Sequence, residues 1–516
     1  MGLSSALPSA SPLERFSRAV VGINYGLISL IFLLNFLAVP GLKWVSLLYA
    51  VFVLVAVLAL DFKQTLTLII GYSFLEGQSR VLWEYNPFFR IAFDLTVGVA
   101  IVRNFVVQRD LSTKGVLPRP VLLLLLLHFM WYLVEMFNPA LVSWFLPVAA
   151  TKAYIFPFLL FLLLRKNPQA FEPQWLRSIS VFILFLLGLE IALCLYQFQF
   201  KQDFMLALSP YYAKQMKQGV FTDFFFRPFG TTHVPGAITT FLYLATGFLF
   251  FSDHFSKKRI SMILGVCGLI VVTILICQVR SALVKFLLLT PASAFAVMVT
   301  TRNRTKVMLR ALLVSVLLGS VGIGYVVKNI DRISEIFDLE AGLKRWETVD
   351  SYDSFKARRL GPLDAFNAAQ LRLGQFPLGL GPGTTAAALI LSGDVKKSDP
   401  VYRQDLFWGF DNLYLSVIVE FGYGAVIYIA LLASMPWLLF RKFRTLYRTG
   451  HLEESRFVLI AFLHVFVILV GNWGMIGIPY NPESFFFWLW TATGLNVYDN
   501  TMKKSVSEDD LSAAAT

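Results

Sequence analysis

Apolar runs about as long as a bilayer is thick recur along nearly the whole chain, and no other feature limits its fold so much. A hydrocarbon core of about 30 Å needs roughly 20 helical residues to cross it. Runs of that order lie near 20–39, 42–60, 64–78, 89–108, 119–136, 142–164, 178–199, 235–252, 259–278, 281–300, 306–328, 412–440, 456–475 and 482–498. Of 516 residues 57% are hydrophobic and only 15% charged, too few for a surface solvated by water. The expected fold class is an all-α polytopic integral membrane protein with about 14 transmembrane helices (12–14, since the third and last runs are short).

The formal charge of +13 would suggest nucleic acid in a soluble chain, but here it must first be tested against topology. A cytoplasmic N-terminus puts 1–19, 61–63, 109–119, 165–177, 253–259, 301–310, 441–456 and 499–516 on the inside. These connections hold 23 Lys/Arg against 11 Asp/Glu, leaving 22 against 21 elsewhere. Nearly all the excess is therefore a positive-inside signal, and no nucleic-acid partner is expected. Both termini are expected in the cytoplasm, with the first span retained because no short signal core with a small-residue cleavage site precedes it.

The expected organisation is a cytoplasmic N-terminus (1–19), helices 1–7 (20–199), an extracytoplasmic loop (200–234), helices 8–11 (235–328), a large extracytoplasmic loop (329–411), helices 12–14 (412–498) and a cytoplasmic tail (499–516). Residues 329–405 carry ten Lys/Arg and eleven Asp/Glu, a balance that suits a folded element. Cys194, Cys267 and Cys277 all lie in apolar runs, so neither a disulfide framework nor a thiolate zinc site has the spacing it needs. His128 and His464 lie within spans and His254 and His451 in cytoplasmic connections, leaving His233 alone outside. No metal or cofactor is expected.

The cations that defy the inside bias are the informative ones. Arg227 opens the rigid turn Arg227-Pro228-Phe229-Gly230-Thr231-Thr232-His233-Val234-Pro235-Gly236 at the outer face. A guanidinium there suits a phosphate, which its planar fork grips through two parallel bonds; the alternative is snorkelling to headgroups. Arg280 sits in a hairpin of a few residues between two apolar helices, with Lys285 one turn on. Such a charge needs a partner or a wet cavity, and the alternative to an anionic ligand is an ion pair with Glu135 or Glu190.

The long loop holds Arg358-Arg359, Arg372 and the run Pro377-Leu378-Gly379-Leu380-Gly381-Pro382-Gly383-Thr384. Glycines of this kind expose backbone N–H groups to an anion, although the Gly-Lys-Ser/Thr ending of a nucleotide loop is absent. Asp411-Asn412-Leu413-Tyr414-Leu415 and Glu420-Phe421-Gly422-Tyr423-Gly424 follow. Asp411, where the chain enters the membrane, fits a base or a sugar-hydroxyl ligand, or else a helix N-cap. Glu420 fits either substrate contact or an interhelical hydrogen bond with glycines allowing close packing.

From Glu135-Met136-Phe137-Asn138-Pro139 to Gly424, the order of these pieces resembles the O-antigen ligase / Wzy-type polysaccharide polymerase family. The resemblance rests on Arg227 before a span, Arg280-Ser281-Ala282 in a hairpin, Arg359 upstream of the glycine run, and Asp411-Asn412-x-Tyr414-Leu415 with Glu420-x-Gly422. It implies a GT-C-like fold and metal-independent glycosyl transfer, from glycans on undecaprenyl pyrophosphate, at the outer face of the bacterial inner membrane. Under it, Asp411 and Arg280 are the catalytic candidates. Arg227, Arg358, Arg359, Arg372, His233, Asn412, Tyr414 and Glu420 are candidates for substrate binding. Membrane lipids, a chain-length regulator (polysaccharide co-polymerase) and a flippase are candidate partners. Ligase-type members carry His where this chain has Asp411, which favours a polymerase of exopolysaccharide or O-antigen over a ligase. The competing readings are ligase-type transfer to another acceptor, a lipid-linked oligosaccharide flippase or carrier drawing on Asp94, Glu135, Glu190 and Glu420, and a peptidoglycan-type glycosyltransferase.

Overall fold

The computed structural model describes residues 12–39, 41–84, 86–108, 117–141, 143–208, 221–222, 225–251, 257–277, 279–300, 377–384, 413–472, 478 and 482–515. Helix dominates among them. Each expected span other than 306–328, which lies outside the described residues, coincides with a helix. These are α1 (Pro12–Phe36), α2 (Leu42–Ala59), α3 (Phe62–Leu82), α4 (Pro87–Gln108), α5 (Arg119–Glu135), α6 (Phe145–Tyr154), α7 (Phe156–Lys166), α8 (Pro173–Leu208), α9 (Pro235–Ala245), α10 (Lys257–Ile276), α11 (Arg280–Thr300), α12 (Leu413–Phe421), α13 (Ala425–Arg448), α14 (Leu452–Gly471) and α15 (Glu483–Ala515). Strand pairing among the described residues is limited to Phe221–Thr222 with Phe225–Phe226.

Among the described residues, 7 helical segments are long and apolar enough to cross a membrane: Ala19–Phe36, Leu42–Ala59, Phe145–Lys166, Pro173–Phe200, Ser281–Thr300, Leu413–Arg448 and Leu452–Gly471. Pro235–Phe250 and Met262–Ile276 are apolar but shorter. The chain is thus a helical polytopic protein suited to a membrane. Helix α2 shows why the suited solvent is hydrocarbon. Trp44, Leu48, Val51, Val55 and Leu58, spaced three and four apart, are each at least 41% exposed, while Leu42, Tyr49, Val53 and Val57 face inward. An apolar stripe on the outside of a helix is unfavourable in water by about 25 cal/mol for each Å² and costs nothing in lipid.

Several expected boundaries move. The span at 142–164 divides at Ile155, beside Pro157, into α6 and α7. The span at 412–440 breaks at Gly422–Gly424, a 3₁₀ turn in which Gly422 has φ +53°. Helix α8 continues to Leu208, into the expected loop at 200–234. Helix α15 runs through the expected tail at 499–516, a stretch with no Gly or Pro to stop it.

The chain forms two compact units. The first comprises Met1–Leu111, Val181–Ile238 and Ile276–Gln278. In it Tyr25 meets Phe182 (5.0 Å between ring centroids) and Tyr49 meets Tyr72 (5.9 Å), both edge to face. Helix α3 is buried along most of its length, and several of its polar side chains pair: Asn35 Nδ2 donates to Gln78 Oε1 at 3.0 Å, Gln78 donates back to Asn35, and Arg80 pairs with Glu76. Buried polar groups left unpaired would each cost about 1–3 kcal/mol.

The second unit comprises Ser112–Ser180, Thr239–Leu275 and Val279–Thr516. Its core is aromatic: Tyr154 against Phe421 (4.8 Å), Phe158 against Trp488 (4.7 Å) and Phe248 against Trp490 (4.4 Å). At one end Arg165 pairs with Asp499 at 2.6 Å, Arg177 with Glu453 at 3.1 Å, and Lys442 lies 3.8 Å from the Tyr498 ring. These contacts join 165–177, 441–456 and 499–516, connections that the charge pattern assigns to a common side.

Candidate functional site

In the first unit, the turn that begins at Arg227 is clamped by side chains of α8 and by the main chain of α3. Gln197 accepts from the N–H groups of Phe229 (3.1 Å) and Gly230 (2.9 Å) and donates to the Gly230 carbonyl at 2.9 Å. Glu190 Oε2 accepts the Thr231 N–H at 3.0 Å, and its other oxygen meets the Thr231 hydroxyl. On the far side the Gln78 N–H donates to the Thr231 carbonyl at 2.7 Å. Gly77 lies so close to the turn that a Cβ there would stand 2.6 Å from the His233 nitrogen. Gly230 has φ +57°, and its missing Cβ leaves room for the Glu190 carboxyl group. Arg227, half-buried, donates from Nε to the Cys277 carbonyl at 3.0 Å. Gln197→Leu would strand two N–H groups and a carbonyl, at about 1–3 kcal/mol each. The variant is expected to melt well below wild type in detergent, and an unchanged melt would show the clamp to be dispensable.

In the second unit, three segments far apart in sequence form one knot. The glycine run Pro377–Thr384 docks on the end of α12. Leu380 N–H donates to the Val419 carbonyl (2.9 Å), Gly381 N–H to the Glu420 carbonyl (3.0 Å) and Gly383 N–H to Glu420 Oε2 (3.0 Å), while Tyr423 N–H returns to the Pro377 carbonyl (3.0 Å). From the end of α5, Asn138 Nδ2 donates to the Gly379 carbonyl at 3.2 Å and to Glu135 Oε2 at 2.6 Å. Trp131 donates its indole N–H to the Phe421 carbonyl at 3.2 Å and packs on Gly424. Gly379, Gly381 and Gly383 have φ of +80°, +91° and +88°, which glycine adopts without strain.

This knot revises one expectation. The N–H groups of Leu380, Gly381 and Gly383 meet carbonyls and a carboxyl oxygen of the chain itself, so they form no anion cradle. Glu420, fully buried, holds the loop through one carboxyl oxygen and its own carbonyl. Tyr414 is likewise an anchor, donating its hydroxyl to the Leu469 carbonyl at 2.6 Å.

Lys285 is not part of an open cationic cavity. Its Nζ pairs with Glu483 Oε1 at 2.7 Å and donates to the Tyr243 hydroxyl at 3.2 Å. Tyr243 donates in turn to Glu483, and Asn472, 3.4 Å from Glu483 Oε2, accepts the Ile478 N–H at 3.0 Å. Glu190 and Glu135, offered as ion-pair partners of Arg280, hold Thr231 and Asn138, and the Arg280 side chain lies outside the described residues.

Arg227, His233, Tyr414 and Glu420 thus have described positions. The Arg280 side chain and Arg358, Arg359, Arg372, Asp411 and Asn412 lie outside the described residues. Gln78, Gln197, Tyr243 and Glu483 escaped the sequence reading, and Asn138 entered it only as part of the stretch Glu135-Met136-Phe137-Asn138-Pro139. A glutamine inside an apolar run was the signal available for the first two, and Glu483 follows a proline at the start of a helix. The chain matches no model of a known protein family, and no curated protein matches it.

Proposed function

We propose that the chain is a polysaccharide polymerase that joins undecaprenyl-pyrophosphate-linked oligosaccharide repeat units at the outer face of the bacterial inner membrane. One observation carries the reading: Glu135-Met136-Phe137-Asn138, the glycine run and Glu420-x-Gly422, pieces of a single sequence pattern, meet in one knot. The clamped Arg227 turn adds a rigid mount for a guanidinium.

In this mechanism Arg227 and Arg280 neutralise the pyrophosphate, as preorganised cations do for a leaving group that gains charge. Arg359, with Arg358 and Arg372, binds donor or acceptor. Asp411 takes the proton of the acceptor hydroxyl as that oxygen attacks the anomeric carbon of the donor. The carbon–oxygen bond to pyrophosphate breaks, and undecaprenyl pyrophosphate leaves with the bonding pair. No metal is required, because the guanidinium groups supply the positive charge.

Cells carrying Arg280→Ala or Asp411→Asn are expected to lose long polymer while the variants remain folded in the membrane. Normal chain lengths from either variant would remove that residue from the mechanism. Arg280→Lys should be milder than Arg280→Ala if charge matters more than bidentate geometry. The competing carrier reading draws on acidic groups within spans, but Glu190 and Glu420 serve here as turn anchors. Purified protein that moves lipid-linked glycan across liposomes without lengthening it would favour the carrier.

A further inference from the structure

Helix α13 ends in a cationic face that the polymerase reading does not use. Its apolar part stops at Phe440, and the two turns that follow, 441–448, carry four cations and no acid. Arg441, Arg444 and Arg448 are all exposed. Spaced three and four apart, they stand on one line of the helix, within about 60° of arc. Trp437, one turn earlier, lies on the same line and is 54% exposed, and the Arg441 guanidinium sits 4.7 Å from its ring centre. An exposed indole followed by cations marks the level at which hydrocarbon gives way to headgroups.

The other side of the same two turns is packed. Leu446 is buried, and Lys442 lies 3.8 Å from the Tyr498 ring of α15. The arginine line is therefore held at a fixed angle. At this end Arg165 and Arg177 pair with Asp499 and Glu453, whereas among the described residues none of the three arginines meets a carboxylate. A topology signal needs only cations near the end of a span; it does not need three arginines on one exposed line. Three planar forks over about 10 Å of helix suit phosphate oxygens, and at headgroup depth the phosphates at hand belong to lipid. We propose that Arg441, Arg444 and Arg448, with Trp437 at their apolar edge, bind the phosphate groups of anionic phospholipid in the leaflet on that side. The proposal stands whether or not the chain polymerises glycan.

The test uses the full chain in nanodiscs of phosphatidylcholine, with and without phosphatidylglycerol. Lipid that binds the folded chain raises its melting temperature, so wild type should melt higher with phosphatidylglycerol. It should also keep that lipid through detergent extraction, as read by mass spectrometry of the lipid that co-purifies. The triple variant Arg441→Gln, Arg444→Gln, Arg448→Gln should melt like wild type in pure phosphatidylcholine, lose the shift, and retain about tenfold less phosphatidylglycerol. Lysine at the same three positions should keep part of the effect, since the charge remains without the planar fork. Lys503→Gln with Lys504→Gln, which removes two exposed cations from α15, should leave the shift intact. An equal loss in that α15 variant would make the effect a general field and overturn the site. Glutamine variants that melt lower yet retain wild-type amounts of phosphatidylglycerol would make the arginines structural. A wild type indifferent to phosphatidylglycerol would also overturn the proposal, and if soluble polyglutamate raised its melting temperature instead, the face would belong to an acidic protein.

Discussion

Lys285→Ala is expected to destabilise the purified protein by about 3–5 kcal/mol, the cost of leaving the other member of a buried ion pair alone. The pair is well shielded, with 7% of the Lys285 side chain and 2% of the Glu483 side chain exposed. The loss would reach Tyr243, whose hydroxyl lies between the two charges, and Asn472, which braces the chain before α15. Thermal melting in detergent, followed by the fraction that stays monodisperse, measures it. The double variant Lys285→Met with Glu483→Gln should recover most of the loss, because a neutral pair of similar volume escapes the desolvation penalty while Gln keeps an acceptor for Tyr243. A Lys285→Ala protein that melts like wild type would show that Glu483 has another source of compensation.

Gly422→Ala carries the second large effect, about 2–6 kcal/mol from a strained left-handed backbone and a steric collision together. Gly422 has φ +53°, and a Cβ would press into the Pro377 carbonyl. Its counterpart Gly379, at φ +80°, has only 2.6 Å between the position of a Cβ and the Glu420 carbonyl oxygen. Both obstacles are backbone atoms and cannot swing aside, so the glycine run should undock from α12 and become open to protease. Gly422→Asn discriminates the causes. Asparagine tolerates positive φ but still carries a Cβ, so a variant as damaged as Gly422→Ala places the cost in the collision, and one that is largely restored places it in the strain.

Much of this architecture was legible from hydropathy alone, because a span announces itself by length and by the absence of charge. The placement of Lys and Arg put 165–177, 441–456 and 499–516 on a common side, and these connections do meet, but the charge pattern named none of the pairs. The breaks inside spans were harder: Gly422 in the 412–440 run gave no more warning than any helix glycine. Helix α3 looked too short because Glu76, Gln78 and Arg80 interrupt its apolar run, yet these residues pair inside the fold. The candidate site was legible as a set of segments but not as a set of contacts. Glu190 and Glu420 stood out as acids within spans, whereas their partners, the N–H groups of Thr231 and Gly383, belong to the main chain, which every residue shares. The same blindness turned the glycine run into an anion cradle on paper, since sequence does not say which way an N–H points. Lys285 and Glu483 are separated by 198 positions, and neither side chain hints at the other.

The way the two turns are held has a consequence for divergence. Glu190, Gln197, Glu420 and Asn138 each grip peptide N–H or carbonyl groups of the turns, a hold that does not depend on the identity of the side chain at the gripped position. Exchange of one of these four side chains would therefore loosen a turn without altering any residue in it. The clamps and the turns they hold are thus one inherited unit, and chains related to this one should vary together at the four grips and the turns.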